Sequence, residues 1–263
     1  MAAAIGLCLV SCEKEFDIDY REIAPMTVLE ANLTQSEAVL TITETTPMDQ
    51  PMDHTLYTDA TAVLEDLSDG WSSPMEPDPS GRYVLPLDAV PGHTYRLTVQ
   101  RGGCTYTSVC EMLPPAEISG MEFSWIKMPY DHVAVLEVTV KDNPDIVGEC
   151  FWLRVYRNGE LYRQSLLRDS FAADGSIHES MMTTRYDIEA EDDDDLLLTG
   201  DNITATVAPL SDRMYDYLEG LENNSNSSRM YDGDFCLGYF LAAPITSKSI
   251  TFNPDEFTGT VRP

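Results

Sequence analysis

The chain has 263 residues, 43% of them hydrophobic, and a formal net charge of -29 at neutral pH. The length fits one or two domains, and the apolar content is enough for a real core. A surface this acidic repels nucleic acid and anionic lipid headgroups, and suits a body held off a membrane, a cationic partner or bound divalent cations.

Ala2–Val10 is an apolar run. It is too short to span a bilayer, which needs roughly 20 residues, but it matches the h-region of a secretory signal. The run closes as Leu9-Val10-Ser11-Cys12 and turns acidic at once, Glu13-Lys14-Glu15-Phe16-Asp17. This pattern predicts a lipoprotein signal: residues 1–11 are removed and Cys12 becomes the lipidated first residue. The expected location is the outer membrane, lipid-anchored, facing the periplasm or the cell surface, with the surface preferred. Residues 12–25 read as an acidic linker ending at Pro25.

From residue 26 the pattern is strand after strand. Ala38–Thr43 alternates, Ala60–Leu67 leads into a Ser68-Asp69-Gly70 turn, and the proline-bearing stretch 72–80 reads as a loop. Pro91-Gly92-His93 is a turn, after which Tyr95, Leu97 and Val99 alternate with polar residues. Gly102-Gly103 then predicts a two-residue hairpin, with Val99 facing Tyr106 and Tyr95 facing Cys110. Pro114-Pro115 stops the strand. Residues 26–115 therefore predict about seven short strands in an immunoglobulin-like β-sandwich.

Residues 116–263 predict a second β-rich domain. Ile118–Ile126, His132–Lys141 and Cys150–Tyr156 read as strands. Asn158-Gly159 predicts a hairpin that pairs Arg157 with Glu160, Tyr156 with Leu161 and Val155 with Tyr162. Residues 170–179 are loop-like. After a strand around Ile203–Val207, Ser211 is placed to cap a helix near 211–222, with Met214, Leu218 and Leu221 on one face. Phe235–Leu241 and Ser249–Phe252 read as closing strands. The fold class expected is mostly β, two immunoglobulin-like β-sandwich halves with one short packed helix.

Candidate chemistry is sparse. Beyond Cys8 and Cys12, the cysteines are Cys104, Cys110, Cys150 and Cys236. An even number in an exported chain allows disulfides, with three connectivities on paper, and free buried cysteines acting as small apolar residues are the equal alternative. Cys104 and Cys110, about 20 Å apart on one strand, are too distant to pair with each other. The block Glu189–Asp195 offers hard oxygen ligands for Ca2+, with Asp192, Asp193, Asp194 and Asp195 as candidates. It lacks EF-hand spacing, and a solvated charge run is the expectation. Trp71, in a Gly70-Trp71-Ser72 loop, is a candidate ligand contact, whereas Trp152 is expected in the core. His54, His93, His132 and His178 are scattered, and no H-E-x-x-H, G-x-S-x-G or phosphate-binding loop is present. No catalytic residue is assigned.

Several pieces together resemble a known family. They are the box ending Cys12-Glu13-Lys14-Glu15, the strand Gly92-His93-Thr94-Tyr95-Arg96-Leu97-Thr98-Val99 with Met112-Leu113-Pro114-Pro115, and the hairpin Trp152-Leu153-Arg154-Val155-Tyr156-Arg157-Asn158-Gly159. To these are added the Ser211–Leu221 helix and Leu237-Gly238-Tyr239-Phe240. In this order they resemble the Bacteroidetes lipoproteins grouped as domain of unknown function 4249. The resemblance implies an accessory role at the cell surface beside a TonB-dependent transporter, with no catalytic residues to carry over. A structural or adhesive surface protein is the first alternative, and a hydrolase the second. The chain departs from the family in opening Met-Ala-Ala-Ala, without a Lys or Arg, which bears on the start position rather than on the anchor.

Overall fold

The computed structural model describes residues 24–47, 50–51, 54–127, 132–141, 143, 146, 148–169, 175–185, 196–225 and 228–259. Seven strands come first: β1 (Thr27–Leu33), β2 (Glu37–Glu44), β3 (Thr61–Asp66), β4 (Trp71–Pro77), β5 (Tyr83–Pro86), β6 (Thr94–Arg101) and β7 (Cys104–Glu111). They run β7-β6-β3-β4-β5-β2-β1 across a continuous sheet. The period of two decides what is inside. Leu40 and Ile42 on β2, Leu64 on β3, and Tyr95, Leu97 and Val99 on β6 are buried in one core.

The Gly102-Gly103 hairpin forms in the expected register. Both glycines take positive φ, 58° and 85°, and Val99 faces Tyr106 while Tyr95 faces Cys110. The stretch expected as a loop on its prolines is instead strand β4. Its first part pairs with β3, from Asp66↔Trp71 to Ala62↔Met75, and its last two residues pair with β5. Each part of β4 keeps one free side, where a proline's missing N–H costs no ladder bond.

The second series is β8 (Ile118–Lys127), β9 (His132–Lys141), β10 (Cys150–Arg157), β11 (Glu160–Arg168), β12 (Ser176–Arg185) and β13 (Asn202–Leu210). Then come α1 (Asp212–Glu222), β14 (Asp232–Gly233), β15 (Leu237–Ala242), β16 (Thr246–Thr251) and β17 (Thr258–Gly259). Two four-stranded sheets result, β12-β9-β8-β17 and β11-β10-β13-β16. Their shared core holds Leu136, Val138 and Val140 of β9, Phe151, Leu153 and Val155 of β10, and Ile203, Ala205 and Val207 of β13. The order β12-β9-β8 repeats β5-β2-β1, and β11-β10-β13-β16 repeats β4-β3-β6-β7. The described residues are thus mostly β, with several sheets and one helix, and they use one strand plan twice.

Two local expectations change here. Strand β12 begins at Ser176, inside the stretch expected as loop; residues 170–174 lie outside the described residues. The Asn158-Gly159 turn has φ of 51° and 93°, the two left-handed residues of a type I′ hairpin. Arg157 faces Glu160 and Tyr156 faces Leu161 as expected, but Val155 faces Arg163 rather than Tyr162. One extra residue bulges out on β11 and displaces the register behind it.

The two plans differ at one connection. The first joins β6 to β7 through Gly102-Gly103, whereas the second joins β13 to β16 through residues 211–245, which cross to the first body. Strand β15 pairs in parallel with β1, from Val28↔Leu237 to Leu33↔Ala242. Strand β14 pairs with β7. Both open edges of the first body, otherwise templates for foreign strands, are covered by chain from the far end. Met214, Tyr217 and Leu218 of α1, and Met230, Tyr231, Phe240 and Leu241 after it, sit in the first core. The stretch 116–263, expected as a separate β-rich domain, therefore lends its helix and two strands to the first body. Strand β10 lies at the junction, with Cys150 and Trp152 facing the first core and Phe151, Leu153 and Val155 the second.

Ser211 caps α1 as expected, its side chain accepting the Met214 N–H at 3.3 Å. Leu221, expected on the buried face, is 53% exposed; the buried positions of α1 are Met214, Tyr217, Leu218 and Gly220, so the buried face turns away from Leu221 in the last turn. Ser211→Ala is expected to lower stability by about 1 kcal/mol, the usual cost of a lost N-cap, read as a shift in urea midpoint with unchanged slope.

Candidate functional site

The polar cluster with the most chemistry lies at one end of the first body. Asp66 ends β3 and is 2% exposed. Its Oδ1 accepts the N–H groups of Ser68 (2.8 Å) and Asp69 (3.0 Å), closing the turn into β4. Its Oδ2 lies 2.8 Å from His93 Nδ1. Asp69 Oδ2 is 4.0 Å from the same nitrogen. Tyr95 lies opposite Asp66 in the β3–β6 register. The Tyr95 hydroxyl accepts the Val90 N–H at 2.8 Å, pinning the Pro91-Gly92 turn to the strand that follows it. His93 stacks on the Tyr95 ring at 6.4 Å, and Trp71 meets that ring edge-on at 6.5 Å.

The charges follow from this wiring. Burial pushes the Asp66 carboxyl up, but hydrogen bonds from His93 and from the Asp69 and Ser68 N–H groups outweigh it and hold the group below the ordinary carboxylate range. The hydrogen bond to Asp66 holds His93 above the ordinary imidazole range, against the opposing effect of burial. Burial first, and then the Asp66 charge, pushes the Tyr95 phenol up.

One ligand atom each from Asp66, Asp69 and His93 lies within 4.8 Å of the other two. One imidazole and two carboxylates are a donor set suited to a transition ion such as Zn2+. Here His93 Nδ1 is already taken by Asp66 Oδ2 at 2.8 Å, and Asp66 Oδ1 by the N–H groups of Ser68 and Asp69. The Asp66–His93 pair also has the form of the base and its orienting carboxylate in a hydrolytic triad. Among the described residues no hydroxyl or thiol bonds His93 Nε2, and the Ser68 hydroxyl accepts the Thr94 N–H at 3.0 Å. The wiring makes His93 a clamp between β6 and the turn after β3.

Cys12 and the Asp192, Asp193, Asp194 and Asp195 candidates for Ca2+ lie outside the described residues. Trp71 is not on a loop: it opens β4, half-buried, and packs on the first core beside Tyr95. Trp152 is in the core, with the Arg154 guanidinium 4.4 Å above its ring. His54 is exposed, His178 Nδ1 lies 3.2 Å from Thr139 Oγ1, and the His132 side chain lies outside the description. Sequence reasoning did not join Asp66 to His93. The available signal was Pro91-Gly92 shortly before Tyr95, a turn followed by a tyrosine that bonds back to it.

A second polar knot holds the other hairpin. Asp201 is 8% exposed and accepts from Arg157 Nε (2.7 Å), Asn158 Nδ2 (2.8 Å) and the Leu198 N–H (2.8 Å). Burial pushes its carboxyl up, and these three donors bring it below the ordinary range. At the junction, Arg168 of β11 reaches Asp212 (3.1 Å) and Asp216 (3.4 Å) of α1 and lies over the Tyr215 ring.

No family model and no curated protein matches the chain. Among solved structures it is similar to a two-domain fibronectin type-III segment of chicken tenascin, at 11% identity and a TM-score of 0.27, covering 87% of this chain and 99% of that one. It is also similar to the FN1–FN3 domains of chicken CNTN1, at 10% identity and a TM-score of 0.25, covering 87% of this chain and 65% of that one. At such scores neither likeness carries a functional argument.

Proposed function

We propose that the chain is a lipid-anchored outer-membrane protein that acts as a non-catalytic binding or accessory component beside a TonB-dependent transporter. Its body is two immunoglobulin-like β-sandwich halves with one packed helix, facing the cell surface. The observation that carries the anchor is the Leu9-Val10-Ser11-Cys12 box with its abrupt acidic sequel. The repeated strand plan and the tyrosine that bonds back to the preceding turn support the immunoglobulin-like reading. The transporter rests on the resemblance of the ordered motifs from Cys12 to Phe240. A binding role rather than bond chemistry is supported by His93, whose Nδ1 is committed to Asp66 and through it to a turn.

Cys12→Ala is expected to move the protein from the membrane fraction to the soluble fraction, read by fractionation and immunoblot. Retention in the membrane fraction would overturn the anchor. For the partner, the tagged wild-type protein is captured from detergent-solubilised outer membrane. Co-purification of a TonB-dependent transporter is the expected result. Its repeated absence, with self-association in its place, would favour the adhesive alternative.

A further inference from the structure

Among the described residues, Asp66, Asp69 and His93 are the one trio of His, Cys, Asp or Glu side chains whose donor atoms all lie within 4.8 Å of one another. Zn2+ holds imidazole nitrogen and carboxylate oxygen at about 2.0–2.2 Å, which in a tetrahedron sets the donor atoms about 3.3 Å apart. His93 Nδ1 is 2.8 Å from Asp66 Oδ2 and 4.0 Å from Asp69 Oδ2, so the two distances bracket that spacing. The adjustment falls on the side chain that can make it. Asp66 is 2% exposed and held by the Ser68 and Asp69 N–H groups and by the Tyr95 hydroxyl. Outer bonds of this kind orient the ligands of a metal ion. His93 is stacked on the Tyr95 ring. Asp69 is at a surface turn, its side chain 64% exposed, where the carboxylate can rotate toward the imidazole. The charges favour a cation as well. An imidazolium between two carboxylates leaves one negative charge over, whereas a dication beside a neutral imidazole leaves none. The chain around it has 45 acidic residues against 16 Lys and Arg.

We propose that His93 Nδ1, Asp66 Oδ2 and Asp69 Oδ2 bind one Zn2+ ion, which replaces the proton joining His93 to Asp66. The inference rests on the fold alone and holds whether or not Cys12 carries a lipid. The hydrogen bond between His93 and Asp66 is held by that one proton, and the proton's place is the ion's seat. Starting from the imidazolium–carboxylate pair, the Nδ1 proton leaves to solvent, the Nδ1 lone pair becomes the metal bond, and Nε2 keeps its proton. No electron moves. Asp66 Oδ1 stays with the Ser68 and Asp69 N–H groups, so ion and turn share one carboxylate. The ring nitrogen selects a transition ion over Ca2+, which takes six to eight oxygens. The fourth position lies on the exposed side, toward Asp69, and is filled by water. The ion ties the turn after β3 to the start of β6 more firmly than the hydrogen bond it replaces.

The test strips the full folded chain with a chelator, removes the chelator, and titrates ZnCl2 by calorimetry in buffer holding millimolar Ca2+, which occupies all-oxygen sites such as a carboxylate run. The expected result is a saturable tight site for one Zn2+ per chain and a rise in melting temperature that chelator reverses. Asp69→Asn keeps the backbone N–H that Asp66 accepts, and so keeps the turn, but should weaken the tight site by at least about tenfold, the lower bound for disturbing even a metal's outer shell. His93→Gln should do the same. Circular dichroism checks that both variants fold; if His93→Gln does not, Asp69→Asn alone decides. Unchanged affinity in a folded variant would overturn the site, as would the absence of saturable Zn2+ binding to the wild-type chain.

Discussion

Gly238→Ala is expected to detach β15 from β1 and to cost about 3–5 kcal/mol, near the upper end for a single substitution. Gly238 faces Leu29 in the parallel pair and has φ of 101°. A Cβ there would stand 2.0 Å from Leu29 O and 2.6 Å from Leu29 C, both backbone atoms that no rotamer change can move. Relief requires the strand itself to shift, and the strand carries Tyr239, Phe240, Leu241 and Ala242, all buried. Gly70 separates strain from collision. It has φ of 75°, but a Cβ there meets nothing within 4 Å. Gly70→Ala should therefore lose only the left-handed backbone penalty, about 1–2 kcal/mol. Denaturant midpoints for the two variants decide the matter. Equal losses would mean that the close approach of β15 to β1 contributes nothing.

Asp66→Ala is expected to cost about 3 kcal/mol, because it leaves two turn N–H groups and a half-buried imidazole without their acceptor. Asp66→Asn keeps an oxygen for the turn and should cost roughly half as much. The pH dependence follows from opposite shifts. The lowered Asp66 contributes stability that is present above the ordinary carboxylate value and is lost as pH falls through its lowered value. The raised His93 contributes stability that is complete below the ordinary imidazole value and is lost as pH rises through its raised value. The gap between wild type and Asp66→Ala should therefore be widest between about pH 4 and pH 6.5 and narrow on either side. Urea titrations at three pH values read it. A gap that does not vary with pH would show that the pair's charges do not matter to the fold.

What was legible in the sequence was local. The glycines at Gly102-Gly103 and the Asn158-Gly159 pair announce their turns because few residues accept positive φ, and β6 alternates because one face is buried. The errors have equally local causes. A bulge on β11 is invisible to a two-residue period, so the pattern pairs Val155 with Tyr162 although Arg163 faces it. The prolines of β4 read as a loop because nothing in the sequence reveals a strand that changes partners partway along. The site was harder still. Asp66 and His93 lie on different strands, and a strand pattern tells which face a residue is on without telling which strand lies next to it. The crossing of residues 211–245 could not be read for the same reason: Leu237–Ala242 looks like any buried strand, and its partner is near the opposite end of the chain.

That crossing sets a timetable for the chain as it is made. The segment 26–115 has seven strands of its own, but its core also needs Met214, Tyr217, Phe240 and Leu241. Synthesis proceeds from the N-terminus, where a self-sufficient domain would close as soon as it emerged. Here the first body waits, with the edges of β1 and β7 unfilled, until residues beyond Ala242 have arrived. Strand β16 must then return to β13 to complete the second body. The last strands to be made therefore complete both bodies, so a nascent or truncated chain is left with two unfinished halves rather than one finished and one missing.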